Sequence, residues 1–340
     1  MRSVQRIAVT GVIVIMLLLL SITGYSSLFV VRKEGVKDSV FSVPEGVSLR
    51  WIAGSLRDRG FIRSSTLFIA FGKFVLSEKE IMAGEYIFGP ETDFFDILSA
   101  FKEGKVHYHT VTIPAGYNIH QIGQLLETDG LVDATTFKGL TEDKGLIGLL
   151  NTDVPNLEGF LYPDTYYFLK DGKPRTIVRK MVLRFKEAMG PDLENRAAEL
   201  GMTLKDIVTL ASLIEKEAIV EGDRPLISAV FYNRLKKNMP LQSDPTVIYA
   251  LGNGFDGDLK RGHLVFDSSY NTYVKRGLPP GPIASPGIES IHAALYPADA
   301  DYLYFVSKND GTHYFSKNLK EHNKAVAVYQ KPLALKKTSH

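Results

Sequence analysis

Cysteine is absent from this 340-residue chain. Its absence excludes a disulfide scaffold, a cysteine nucleophile and thiolate metal sites, and leaves the redox compartment open. An excess of one charge is also lacking. Forty Lys and Arg stand against 38 Asp and Glu, a formal net charge of +2. That is too little to argue for a nucleic-acid partner. No Gly-rich phosphate loop and no G-x-S-x-G elbow occurs, so neither nucleotide binding nor an α/β-hydrolase nucleophile is indicated. Apolar and charged fractions of 45% and 23% are ordinary for a folded protein. The length allows about two domains.

The first informative feature is apolar. From Ile7 to Val31 no residue is charged, and Val12 to Leu20 is unbroken hydrocarbon. A helix needs about 20 such residues to cross a bilayer. A cleaved signal peptide fits less well, because the run is long and Ser21-Ile22-Thr23-Gly24-Tyr25 is not an A-x-A-like site. Arg2 and Arg6 precede the run and Arg32 and Lys33 follow it, so flanking charge says little about orientation. No later segment could span. The expectation is an uncleaved anchor over 1–33, with the rest of the chain on one side and export the simplest reason for it.

A repeat follows. Val43-Pro44-Glu45-Gly46-Val47-Ser48-Leu49 is matched 70 positions later by Ile113-Pro114-Ala115-Gly116-Tyr117-Asn118-Ile119. The register persists through Ile52 and Ile122, Leu56 and Leu126, Gly60 and Gly130, Ile62 and Val132. Each unit reads as strand, turn, then a helix capped by Ser48 or Asn118 and ended near Gly60 or Gly130. Tyr86-Ile87-Phe88 predicts a further strand, and Thr92 or Asp93 caps a helix carrying Phe94, Ile97, Leu98 and Phe101. The unit resembles the LysM peptidoglycan-binding module in size and plan. A spacer or scaffold is the plainer alternative. Asp171-Gly172-Lys173-Pro174 and Gly190-Pro191 bracket a predicted helix over 176–188.

Beyond Gly201 a variant capping box, Thr203 to Asp206, opens a helix that carries two glutamates. Glu217 follows Leu210, Leu213 and Ile214 by seven, four and three positions and shares their face. Glu215 follows Val208, Ala211 and Ser212, a smaller and more polar surface. A carboxyl on an apolar face loses hydration, and its pKa rises. That suits a general acid for a glycosidic oxygen. The same position also suits a side chain that reaches solvent or pairs with Arg224, and the helix alone leaves both readings open.

Loops then follow that are rich in neutral hydrogen-bonding groups. They are Leu241-Gln242-Ser243-Asp244-Pro245-Thr246, in which Asp244 can cap a helix running through Tyr249, then Tyr270-Asn271-Thr272-Tyr273 and Gly277-Leu278-Pro279-Pro280-Gly281-Pro282-Ile283. Eleven of the 16 tyrosines lie between Tyr162 and Tyr314, and such rings suit sugars as well as cores. Gln242, Ser243, Asp244, Thr246, Tyr249, Asn271 and Tyr273 are the candidate walls of a polar groove. His107 and His109 share a strand face and could hold a metal, but no third ligand is near and a solvated strand is simpler. His263, His292, His313 and His322 are scattered. No metal and no cofactor is expected.

These segments, with Leu210 to Glu217, Glu158 to Tyr166 and Tyr302 to Val306, resemble the YceG-like endolytic murein transglycosylases in the same order along nearly the whole chain. The resemblance implies an α+β fold: an N-terminal transmembrane helix, small duplicated LysM-like modules, then a mostly helical, loop-rich catalytic domain. The boundaries expected are 1–33, 40–107, 108–199 and 200–335. It places the catalytic glutamate on Glu217. It implies a lyase that cleaves the β-1,4 bond after N-acetylmuramic acid inside peptidoglycan strands and leaves a 1,6-anhydro end. It also implies a single-pass inner-membrane location, with the catalytic part outside the cytoplasm and close to glycan synthases such as penicillin-binding proteins. Two rivals stay open. One is a hydrolase using Glu217 with Asp244 or Glu221, and the other is a glycan-binding scaffold without catalysis.

Overall fold

A computed structural model of the chain describes residues 38–76, 81–170 and 172–330. The expected anchor over 1–33 lies outside the described residues. Among the described residues no helix is long and apolar enough to cross a membrane. They form twelve α-helices and six short strands, paired as three two-stranded sheets, an α+β fold. Contacts divide the described residues into one unit, those up to 110 with those of 167–172, and a second, 111–166 with those from 173 to 330.

In the first unit, β1 (Ser39–Val43) pairs antiparallel with β2 (Gly84–Phe88), with Phe41 opposite Tyr86. Phe41 and Val43 are buried and Val40 is exposed, the alternation of a sheet covered on one face. Helices α1 (Leu49–Asp58), α2 (Ser65–Val75) and α3 (Phe94–Glu103) provide the cover. Phe94, Ile97, Leu98 and Phe101 repeat at helical spacing on α3 and are all buried. Their core mixes aliphatic and aromatic side chains, with Tyr86 and Phe101 edge to face at 4.6 Å.

The second unit opens with the other copy of the repeat. Helix α4 (Ile119–Thr128) lies 70 positions after α1 with identical length. Ser48 and Asn118 accept hydrogen bonds from the N–H groups of Trp51 and Gln121. Gly46 and Gly116 share a φ near 80°, and Gly60 and Gly130 one near 70°. The turn chemistry read from the sequence is therefore present in both copies. α5 (Ala134–Thr141) packs on α4, and a short α6 (Lys144–Ile147) follows.

The helix expected over 176–188 is the first part of a longer element. α7 spans Pro174–Glu199 as two helical stretches, with the expected break at Gly190-Pro191 between them. Gly190 takes φ 58°, ψ 166°, and Pro191, lacking an N–H, then restarts the helix at the position where none is needed.

At the centre lies α8 (Leu204–Glu217), opened by the Thr203–Asp206 capping box and packed against α7, α9 (Arg224–Lys236), α10 (Asp244–Leu251) and α11 (Ile288–Leu295). Every residue from Ile207 to Ile214 is buried. The two faces distinguished in the sequence are thus both inside. Thr209 and Ser212 are tolerated there because their hydroxyls bond the carbonyls of Lys205 and Thr209. β3 (Tyr304–Ser307), β4 (His313–Ser316) and α12 (Leu319–Tyr329) complete the unit.

Gly159 is wedged against this helix. It has φ +81°, and a Cβ there would lie 2.4 Å from Cβ of Pro282 and 3.0 Å from Val208. Gly159→Ala is expected to lower stability by about 2–4 kcal/mol, the joint cost of a left-handed non-glycine residue and overpacking. Urea unfolding checks this; an unchanged midpoint would contradict it.

Candidate active site

The last residue of α8 is Glu217, and the helix stops there because Ala218 turns to extended backbone. The Glu217 carboxyl is half-buried. Ser243 donates its hydroxyl to Oε1 at 2.6 Å. Oε2 takes no hydrogen bond from any described residue. Burial pushes the Glu217 pKa up to about 7. The Ser243 bond and the charge of Arg234 pull it down, while the charge of Asp244 raises it.

Local chemistry explains why Ser243 is available. Ser243 holds the N-cap position of α10, where a serine ordinarily accepts from the second or third helical N–H. The second helical residue is Pro245, which has none, and the third N–H, from Thr246, goes to the Ser243 carbonyl at 3.1 Å. The hydroxyl is free to turn outward. Asp244, expected as the cap, is instead the first helical residue and accepts from the Tyr273 hydroxyl.

A hydrogen-bonded seam holds this turn. The Ser243 N–H bonds Thr272 Oγ1 at 3.0 Å, Thr246 and Thr272 share a 2.9 Å contact, and the Gln242 N–H bonds the Thr272 carbonyl. Asn271 places its amide on the carbonyls of Leu264 and Phe266. Gln242 sits at φ +51°, a strained position for glutamine, and its side chain accepts from Arg234. Arg234, missed in the sequence, is buried, donates to the carbonyls of Leu303 and Leu241, and lies over the Tyr304 ring. Burial lowers its own pKa.

The seven groove candidates therefore separate. Gln242, Asp244, Tyr249 and Tyr273 keep solvent contact, whereas Ser243, Thr246 and Asn271 are buried and spend their bonds within the protein. Glu215 differs sharply from Glu217. It accepts the Gly287 N–H at 3.1 Å and the Ser290 hydroxyl at 2.6 Å, with Arg224 at 3.8 Å. The Arg224 partner considered for Glu217 belongs to Glu215. Glu221 lines a separate hollow with Arg224 and His292.

A second desolvated carboxyl was not singled out in the sequence. Glu158 is 6% exposed, and burial pushes its pKa up to about 7. It accepts the Ile119 N–H at the start of α4 through both oxygens, and the Tyr249 hydroxyl at 3.1 Å. The available signal was an acid standing alone in the apolar run Leu157 to Leu161. Glu158 and Tyr249 line a cleft of about 710 Å³ whose wall includes Lys216, next to Glu217, and Pro245, two residues after Ser243. Glu217 is not in that lining. In the first unit His109 is paired with Glu85 at 2.8 Å. Among the described residues no three His, Asp or Glu side chains are grouped to hold a metal.

Residues 41–328 match the sequence profile of the YceG-like family. A Bacillus subtilis protein named endolytic murein transglycosylase is 34% identical over 324 residues, covering 90% of this chain and 89% of that protein. A Streptococcus pneumoniae protein of the same name is 28% identical and covers 93% of this chain, which spans 64% of the longer streptococcal protein. The crystal structure of a YceG-like protein from Listeria monocytogenes superposes with a TM-score of 0.60 at 34% identity, covering 85% of this chain and 98% of that one.

The two raised carboxyls make stability depend on pH. Glu158 titrates at 4.5 when unfolded and about 7 when folded. Between those values the folded chain holds a proton that the unfolded chain has released, so stability falls as pH rises through the window and levels off above it. Glu217 adds the same sign. Glu158→Gln is expected to flatten part of that fall and to be more stable than the parent relative to its own value at pH 4.5. Equal slopes from pH 4.5 to 7 in denaturant titrations would contradict the burial assigned to Glu158.

Proposed function

The chain belongs to the YceG-like family, and on that premise we propose that it is an endolytic murein transglycosylase in which Glu217 is both acid and base. The observation that carries this reading is one carboxyl at the end of a buried helix, held by a single hydrogen bond, with its pKa pushed up to about 7 by burial. A general acid works best with a pKa near the working pH.

Glu217 protonates the glycosidic oxygen of the β-1,4 bond that follows N-acetylmuramic acid. The C1–O bond breaks, and the 2-acetamido oxygen of the sugar stabilises the oxocarbenium-like centre. The Glu217 carboxylate then takes the proton of the C6 hydroxyl, whose oxygen bonds C1 and closes the 1,6-anhydro ring. The carboxyl ends as it began, and no water is consumed. An intramolecular nucleophile has a high effective concentration, so a second carboxylate is not required. Ser243 holds Oε1 and leaves Oε2 for the substrate. Gln242, Asp244, Tyr249 and Tyr273 contact glycan, while Thr246, Asn271 and the Ser243 backbone position the turn.

The apolar run before the first unit serves as a single inner-membrane span, with catalysis outside the cytoplasm, where nascent strands and their penicillin-binding-protein synthases lie. The strand–helix–helix–strand order of the first unit, β1-α1-α2-β2, supports a LysM-like module that faces glycan or spaces the catalytic unit from the membrane.

Glu217→Gln is expected to cut strand cleavage by about 10²–10⁴-fold, the worth of a general acid, in a protein that still folds. Mass spectrometry of digested sacculi should show ends one water lighter than reducing ends. Reducing ends instead would make water the nucleophile, with Asp244 its base. Ser243→Ala removes a bond to the charged form, so the alkaline limb of the pH–rate profile should move upward. A downward shift would contradict the assignment.

A further inference from the structure

Apart from Tyr249 at its edge, the cleft beside Glu217 has no place in the mechanism above, and its chemistry differs from that of a sugar subsite. Its volume is about 710 Å³, and its wall meets the site through Lys216 and Pro245. Its apolar surface comes from aliphatic residues such as Ile119, Ile248 and Ile283. Tyr249 is the one phenol or phenyl ring in its lining, and its hydroxyl is tied to Glu158. Sugars favour aromatic faces, and this lining is poor in them.

Its charged groups favour an anion. Lys138 and Lys216 both face the cleft. Lys138 is exposed and forms no ion pair among the described residues. Among the described residues Lys216 bonds only the Gly116 carbonyl, at 3.2 Å. Glu142 is the exposed carboxylate in the lining, and Glu158 is buried with its oxygens already accepting three bonds. Two lysines thus stand against one exposed acid. Gln124 and Asn156 add amide groups, which suit a peptide backbone.

A murein strand is neutral along its sugars. Its negative charge lies on the peptides attached to the lactyl groups of N-acetylmuramic acid. We propose that this cleft binds the acidic stem peptide of the muramic acid next to the scissile bond, with Lys138 pairing a stem carboxylate and the aliphatic floor taking small apolar side chains. The inference rests on the transglycosylase reading for its substrate, and stem recognition would make the enzyme select strands not yet stripped of peptide.

The test uses the full-length protein and Lys138→Ala. Both are given strands of equal length, either bearing stems or stripped by an amidase that cuts at the lactyl group. The parent should cleave stem-bearing strands about tenfold more efficiently, a preference typical of one good charged contact. Lys138→Ala should lose most of that preference through KM and leave stripped strands unchanged. Equal cleavage of both strands by the parent would overturn the proposal, as would an equal loss on both strands in the variant. In parallel, a soluble muramyl peptide is titrated by calorimetry. Binding weakened by Lys138→Ala supports the cleft even if neither strand is cut, an outcome that would sink the transglycosylase reading alone. Absence of binding, or equal binding by the variant, overturns the cleft.

Discussion

A single hydrogen bond, from Ser243 to a carboxyl at the end of a buried helix, is the interaction on which the site depends. The bond exists because Pro245 deprives Ser243 of its ordinary capping partner. It is held in place because Thr246 and Thr272 lock the turn to the neighbouring loop. Arg234 supports that turn from behind through the carbonyls of Leu241 and Leu303. Its positive charge limits how far burial can raise Glu217. The left-handed Gln242 is the strained residue that lets the chain enter the turn, and such strain persists where surrounding bonds over-determine it.

The three carboxyls near the centre of the second unit show how environment assigns roles. Glu215 and Glu217 are two residues apart on α8. Glu215 is saturated by a backbone N–H, a hydroxyl and a guanidinium, and it ties α8 to α11. Glu158 is also saturated, joining the start of α4 to Tyr249 on α10. Glu217 has one donor and an open oxygen. Burial raises Glu158 and Glu217 alike, to about 7, so what suits Glu217 to give and then take a proton is the oxygen that it leaves open.

Much of the local structure was legible in the sequence, for reasons that are themselves local. Ser48, Asn118, Asp93 and Thr203 cap helices through bonds spanning three residues, and Gly46, Gly60, Gly116 and Gly130 mark positive φ in both copies of the repeat. Helical spacing singles out Glu217, yet spacing is only part of what sets it apart. α8 is buried on all sides from Ile207 to Ile214, so what separates Glu217 from Glu215 is the set of partners each meets, and all of these but Arg224 come from 26 to 75 residues away. Glu158 and Arg234 escaped notice on the same ground: their roles arise from contacts with Tyr249 and Leu303, 91 and 69 positions away. Spacing along one helix cannot show them. The break at Gly190-Pro191 was legible on the same local ground as the helix caps, because a glycine at positive φ ends one helical stretch and the proline opens the next.

The central claim is that Glu217 carries a proton near neutral pH while its neighbours on α8 and α10 hold it in place. A ¹³C NMR titration of the glutamate side-chain carboxyls, with Glu217 assigned by its loss in Glu217→Gln, measures this directly. The account predicts a midpoint near 7. A midpoint near the ordinary 4.5 would show a solvated carboxylate and contradict it.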